Sequence, residues 1–386
     1  MTANPRGRRY AGEDLGPEPR IAVLGSTKLG NFIVTTPLLR GLKERWPDAR
    51  VDFYGSPVNR AFEAECPWID WRTDIFPMGE GRLADVASHM AARAADRPYD
   101  LAINCDGFNP YTTTLVTLTG ARYLAGNALG PNLSDRLETG EHPWQRILDE
   151  PDWTTPAFLE RYEGHLTSNY IGELFCRMAF IETDFFDIRL ESAEPPFEVP
   201  DILIHANATR SAKFWPADRW ERFVDGCVDR ELSVGLVGVL PRPGQEDEQG
   251  FRIEARLAAH EALEDLRGRT SPIQLAGAMM RARACVSVDS GPLHVAAAVG
   301  CRTVAIFGND ADAVGASPLR LWMPRGEHIR RTVSEAHCAE CLARRFRNDD
   351  CVLQEHRCML GVSTGQVLAL LDDALASDPG RGPTDD

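Results

Sequence analysis

Short apolar runs recur along this chain, each followed by a longer stretch with helical spacing, and the series halts once and then restarts. Ile21–Leu24, Val51–Tyr54, Arg72–Phe76 and Leu101–Cys105 read as strands. Around them lie Asn31–Arg45, where Pro37 predicts a bend, the Ala-rich amphipathic stretch Gly81–Ala95, and a threonine-rich helix near Thr112–Leu118. Apolar runs separated by helices predict a parallel sheet covered on both faces. Asn127–Gly164, rich in Pro, Trp and charge, reads as a long excursion over the sheet edge, and Leu166–Ala179 as a helix.

The halt is Glu191–Pro200 (ESAEPPFEVP), a linker with three prolines and no periodicity. Beyond it Ile202–His205, Ser233–Val239, Ala284–Val288 and Thr303–Phe307 read as strands. Ala217–Asp229, Phe251–Ala259, Pro272–Arg283 and Leu293–Val299 read as helices. The expectation is an α/β chain of two Rossmann-like parallel-sheet domains, residues 21–190 and 201–335, facing a central cleft. A disordered leader (1–20), a cysteine-rich finger (336–360), a closing helix (361–377) and a disordered tail (378–386) complete it. Ligands of open parallel sheets bind beyond the carboxyl ends of the strands, so the residues after each strand carry most of the information.

Composition removes several functions. With 57 Asp+Glu against 42 Lys+Arg, a net charge of −15 suits neither nucleic-acid phosphates nor anionic lipid. No apolar run is long enough for a membrane span, and the polar N-terminus is not a secretory signal. A cytoplasmic protein is expected, whose ten cysteines do not form a disulfide framework. Four of them cluster near the C-terminus, and the other six fall mostly in apolar runs that read as core.

After the first strand, Gly25-Ser-Thr-Lys-Leu-Gly30-Asn31 begins like a P-loop but lacks its Lys-Ser/Thr pair, so there is no β/γ-phosphate and Mg²⁺ anchor. Read alone, it is equally a tight strand-to-helix turn. The second half is more specific. Asp289-Ser290-Gly291-Pro292-Leu-His294 runs from strand into helix, with Pro292 suited to the first helical turn. Backbone N–H groups at such a helix start bind phosphate or diphosphate without metal, with Asp289 and His294 on the rim for ribose or sugar. The bland alternative is a capped helix with a buried histidine. Thr209-Arg-Ser-Ala-Lys213-Phe-Trp215-Pro216 offers Lys213 as counter-charge to a leaving diphosphate, or is a solvated connection.

The run Asp289-Ser-Gly-Pro-Leu-His294-Val-Ala-Ala-Ala, ending in Ala305-Ile-Phe-Gly308, resembles the nucleotide-sugar site of the ADP-heptose transferases of glycosyltransferase family 9, which have the two-domain GT-B fold. Leu29-Gly30-Asn31 with Thr36-Pro37, Lys213-Phe-Trp215-Pro216, and Gly268-Arg-Thr270-Ser271 before Leu275-Ala276 agree in order, over about residues 20–375. The resemblance implies an ADP-heptose donor and an acceptor hydroxyl, a protein serine first, with a glycan or a small metabolite as the other candidates. Thr209 and Lys213 would lie on the diphosphate, Ser290, Gly291 and His294 would line the same site, Asp289 would sit near the sugar, and Leu275 and Ala276 would flank the adenine. It implies no catalytic Mg²⁺.

One position departs. The lipopolysaccharide heptosyltransferases carry an aspartate after the first-loop glycine, usually assigned as base, where this chain has Asn31. A neutral amide accepts no proton at ordinary pH. Asp106, in Ile103-Asn-Cys-Asp106-Gly107-Phe after a strand, is the replacement, unless it is only a turn-forming Asp-Gly. Asn31 would then orient the acceptor. This arrangement is similar to that of the bacterial autotransporter heptosyltransferases, which modify protein serines.

Cys338-x₂-Cys341-x₉-Cys351-x₆-Cys358 supplies four thiolates with a tight first pair, as in a tetrahedral metal knuckle, the alternative being thiols or redox pairs. Autotransporter heptosyltransferases are similar in carrying a four-cysteine iron finger here; sulfur ligation alone admits one structural Zn or Fe. Two functions therefore stand against each other. One is a heptosyltransferase with Asp106 as base. The other is a non-catalytic nucleotide-sugar-binding or assembly protein. Oligomeric state stays open, a homo-oligomer included.

Overall fold

Parallel strand pairing organises both halves of the computed structural model, which describes residues 7–76, 83–95, 97–107, 109–308, 319–332, 334, 339–340, 351 and 357–376. The chain divides into two units, the first ending at residue 189 and the second beginning at 190, apart from a short excursion at 154–156.

In the first unit the strands are β1 (Arg8–Arg9), β2 (Arg20–Leu24), β3 (Arg50–Gly55), β4 (Trp71–Asp74), β5 (Leu101–Asn104) and β6 (Tyr123–Ala125). They form one sheet in the order β1-β6-β5-β2-β3-β4, parallel throughout. β2 and β5 are central and buried along their whole length, and apolar apart from Arg20 and Asn104, as suits strands covered on both faces. Their register, Leu24 opposite Asn104, brings the two following loops side by side.

Pro37 does not bend one helix but opens a second. Helix α1 (Leu29–Ile33) ends, and α2 (Thr36–Arg45) starts with Pro37 in its first turn, where a missing N–H costs nothing. Thr35 and Thr36 donate side-chain hydrogen bonds to the carbonyls of Asn31 and Ile33, each 2.7 Å.

The expected disordered leader is corrected for residues 7–20. β1 pairs with β6, and the Tyr10 amide donates to the Leu124 carbonyl at 3.0 Å. Tyr10 is fully buried, edge-on to Phe180 at 5.6 Å. The Asn127–Gly164 excursion holds this segment down: Gln145 Nε2 donates to the Tyr10 carbonyl at 2.7 Å, and Arg9 Nη2 to the Leu137 carbonyl at 2.9 Å.

The second unit repeats the plan with β7 (Ile202–His205), β8 (Val234–Leu236), β9 (Leu263–Asp265), β10 (Ala284–Val288), β11 (Thr303–Ile306) and β12 (Ile329–Thr332). The order is β12-β11-β10-β7-β8-β9, again parallel. Its core joins strand residues to the indoles of Trp215 and Trp220, 5.0 Å apart, and to Val367, Leu371 and Ala374 of the closing helix Thr364–Ala376. Trp215 Nε1 donates to the Val362 carbonyl at 2.9 Å, tying that helix to the Lys213-Phe-Trp215-Pro216 run. The proline-rich linker is packed against this unit. A Cβ on Gly277 would stand 1.9 Å from the Ala193 carbonyl oxygen, so only glycine permits the approach.

Candidate active site

In the first unit the site residues follow β2 and β5. Asp106 begins the turn into helix α3 (Pro110–Leu118). Asn109 Nδ2 donates to its carboxylate at 3.1 Å, Asn104 Oδ1 accepts its amide at 3.0 Å, and Thr112 Oγ1 donates to its carbonyl at 2.9 Å. Asn104 Nδ2 donates to the Asn127 carbonyl, and Asn127 Nδ2 in turn to the Gly107 carbonyl, at 2.8 and 2.6 Å. A bare Asp-Gly turn needs none of these side chains. Burial pushes the Asp106 carboxyl above its ordinary range, while the Asn109 amide and the Lys28 charge hold it partly back. Asn31, in helix α1 just beyond the β2 loop, donates from Nδ2 to Ser26 Oγ of that loop at 3.1 Å. That loop is braced by Asn59, whose amide donates to the Ser26 carbonyl at 3.0 Å.

In the second unit β10 lies beside β7, Ser287 opposite His205, so the loops carrying Asp289 and Lys213 are neighbours. Lys213 Nζ and Asp289 Oδ2 are 2.6 Å apart, both largely shielded from solvent. Asp289 leads into helix α4 (Gly291–Ala298). Its N-cap, Ser290, is extended and makes no side-chain cap; Ser290 Oγ instead donates to the Val288 carbonyl at 3.2 Å. The first-turn N–H groups are therefore left by their own cap residue, and Pro292 contributes none. Such a helix start attracts an anion.

Asp289 and His294 do not sit on a rim, contrary to expectation: they are 8% and 5% exposed. The cause is that α4 is packed on both sides, with Leu293 and Val295 through Ala298 also buried. Burial pushes the His294 imidazole down to about 4, so it is neutral, and the nearby Asp289 and Lys213 charges oppose each other on it. Its Nδ1 has no hydrogen-bond partner among the described residues. Thr209 is exposed. Leu275 is 9% exposed and Ala276 fully buried, so at this helix only Leu275 has an accessible edge. Ser271, at the end of the Gly268–Ser271 run, serves the helix itself, forming a capping box with Gln274 on Pro272–Arg281.

Of the four clustered cysteines, Cys338 and Cys341 lie outside the described residues. Cys351 and Cys358 are half-buried, and Met359, next to Cys358, is in the second unit's core. Among the described residues no group of three or more His, Cys, Asp or Glu is placed to hold a metal, and no helix is long and apolar enough to cross a membrane.

The family model described as Glycosyltransferase family 9 (heptosyltransferase) matches residues 178–348, a span that contains both loops of the second unit's site. Lipopolysaccharide heptosyltransferase 3 of Escherichia coli (strain K12) is 24% identical over 312 residues, covering 78% of this chain and 83% of that one. The chain is a glycosyltransferase, similar to the heptosyltransferases of family 9.

Solved structures agree on the fold of this glycosyltransferase, which is GT-B. The E. coli ADP-heptose lipopolysaccharide heptosyltransferase II superposes with a TM-score of 0.63 at 18% identity, covering 94% of this chain and all 100% of the other. The iron-containing dodecameric TibC of enterotoxigenic E. coli H10407 gives 0.56 at 13%, covering 95% and 78%. The expected kinship with autotransporter enzymes thus meets the weaker of these two likenesses.

Sequence reasoning missed the residues that hold the site. Asn109 and Asn127 secure Asp106 and its turn, and Asn207 (beyond β7) bonds to the buried Glu254. In the sequence they are ordinary polar residues.

Proposed function

We propose that this glycosyltransferase moves a heptosyl group from ADP-heptose to an acceptor hydroxyl, in a single inverting displacement. The acceptor oxygen bonds to the anomeric carbon as the bond from that carbon to the diphosphate oxygen breaks, and ADP leaves with the electron pair. Asp106 takes the acceptor proton, Asn31 orients the acceptor, and Lys213 with the α4 start holds the departing charge. Protein charges suffice in this scheme, so no catalytic Mg²⁺ is needed.

The observation that carries the reading is the 2.6 Å Lys213–Asp289 contact at an uncapped helix start, which joins two motifs far apart in sequence. A cation held by a carboxylate is ready to exchange that partner for a diphosphate. Kinship with lipopolysaccharide heptosyltransferases supports a glycan acceptor. A protein serine, our first expectation, rests on the cysteine cluster and the Asn31 departure. The cysteines are proposed as a structural Zn or Fe finger, four thiolates being a suitable donor set. Elemental analysis should find one metal per chain, lost in Cys338→Ser. A cytoplasmic location and a homo-oligomer belong to the same reading, and native mass measures the second.

The test is ADP release from ADP-heptose with glycan and serine-peptide acceptors. Asp106→Asn should lower kcat by about 10²–10⁴-fold with ADP affinity unchanged. In the wild type, turnover should fall on acidification at a pH above that of an ordinary carboxylate, because burial raises the Asp106 pKa. Full activity in Asp106→Asn removes the base assignment. ADP binding without turnover on any acceptor favours the non-catalytic reading, which the neutral Asn31 motivates.

A further inference from the structure

Lys213 is carried by a loop, and the loop is fastened at its start by a residue to which no substrate contact is expected. Asn207, two residues beyond β7, accepts the Ala208 amide on its own Oδ1 at 2.8 Å and donates from Nδ2 to Glu254 Oε2 at 3.3 Å. Glu254 belongs to helix Gln249–Ala258 and is fully buried. The first turn of that helix presses on the same amide: a Cβ on Gly250 would stand 1.9 Å from Asn207 Oδ1.

A buried carboxylate is an expensive way to fill a core. Three titratable or charged groups face Glu254 from the ends of β7 and β9: His205 and Arg267, each 3.9 Å away, and the more distant Asp265 charge. Burial pushes its carboxyl up to about 7 against the pull of Asn207 and Arg267. His205 is already committed, its Nδ1 being 2.9 Å from the Val237 carbonyl. Glu254 Oε1 has no hydrogen-bond partner among the described residues. Packing alone would be served better by a methionine or leucine. The hydrogen bond that this carboxylate does accept, on Oε2, leads to the loop.

We propose that Glu254 is a positioning residue for the diphosphate loop, fixing through Asn207 the backbone from which Thr209 and Lys213 extend. This rests on the reading that Lys213 binds diphosphate.

Calorimetric titration with ADP separates the two. Lys213→Ala should lose most of the affinity. Glu254→Met, which removes the acceptor but keeps the bulk, should weaken ADP binding about tenfold and raise donor KM more than it lowers kcat. Glu254→Gln, which still offers Asn207 an amide oxygen, should stay within about threefold. The pair Asn207→Ala and Glu254→Met should be no weaker together than Asn207→Ala alone, because both cut one link.

Wild-type affinity in Glu254→Met, or losses that add in the double variant, overturns the proposal while leaving the Lys213 reading intact. If Lys213→Ala binds ADP as tightly as wild type, both fall. Should Glu254→Met not fold, Asn207→Ala carries the test from the half-buried side of the link, and unchanged ADP affinity there overturns the proposal as well.

Discussion

Each unit places an aspartate just past a buried central strand, and the surroundings of the two could hardly differ more. Asp106 accepts an amide hydrogen bond in a turn braced by asparagines, and burial raises its pKa. Asp289 lies 2.6 Å from Lys213 at the mouth of a helix. Amides orient a carboxylate without discharging it, which leaves it able to take a proton. A lysine neutralises it, which leaves a cation poised for an incoming anion. Position in the fold is shared, and the partners decide the chemistry.

The strongest way to break this contrast is Lys213→Ala. It removes the charge proposed for the leaving diphosphate and takes the cation from Asp289, so kcat/KM should fall by about 10²–10³-fold. Stability should fall too, because a shielded carboxylate loses its counter-charge. Adding Asp289→Asn should restore the melting temperature and not the turnover. If the double variant recovers both, the pair is merely structural.

A second effect, about 3 kcal/mol, separates stability from binding. Tyr10→Ala deletes a fully buried ring next to Phe180. Denaturant unfolding should show the loss, with ADP affinity unaltered. A variant as stable as wild type would return residues 7–20 to the status of an unstructured leader.

That segment also shows where the sequence was readable. The buried central strands, β2, β5, β7, β10 and β11, announced themselves because both faces must be apolar. The edges β1, β9 and β12 did not: Arg8–Arg9, Leu263–Asp265 and Ile329–Thr332 carry charge, as edge strands do. β6 was hidden by its brevity, three residues between Gly120 and Gly126, both at positive φ.

The site was legible in the same uneven way. Lys213 and the Asp289–His294 run stood out because both follow strands. Their contact is produced by β10 pairing with β7, and no local pattern encodes it. Glu254 was invisible, since a glutamate in an amphipathic helix reads as a solvated face. Only packing shows it to be the buried exception.

The smallest predicted effect bears on the first unit alone. Asn31 and Asp106 follow adjacent strands, and the Lys28 charge in the first loop is felt at Asp106. A carboxylate at position 31 would therefore sit in the same loop cluster, able to accept from the Ser26 hydroxyl that Asn31 now contacts. In an Asp106→Asn background, Asn31→Asp should recover about tenfold of the lost rate, short of wild type because a displaced base aligns less well with the acceptor proton. In the otherwise wild-type chain the added negative charge should raise the Asp106 pKa further. A base must be deprotonated to act, so the acid limb of the rate profile should then move to higher pH. Neither rescue nor displacement of that limb would mean that the two loops do not serve one proton, and the asparagine-braced turn would be structural after all.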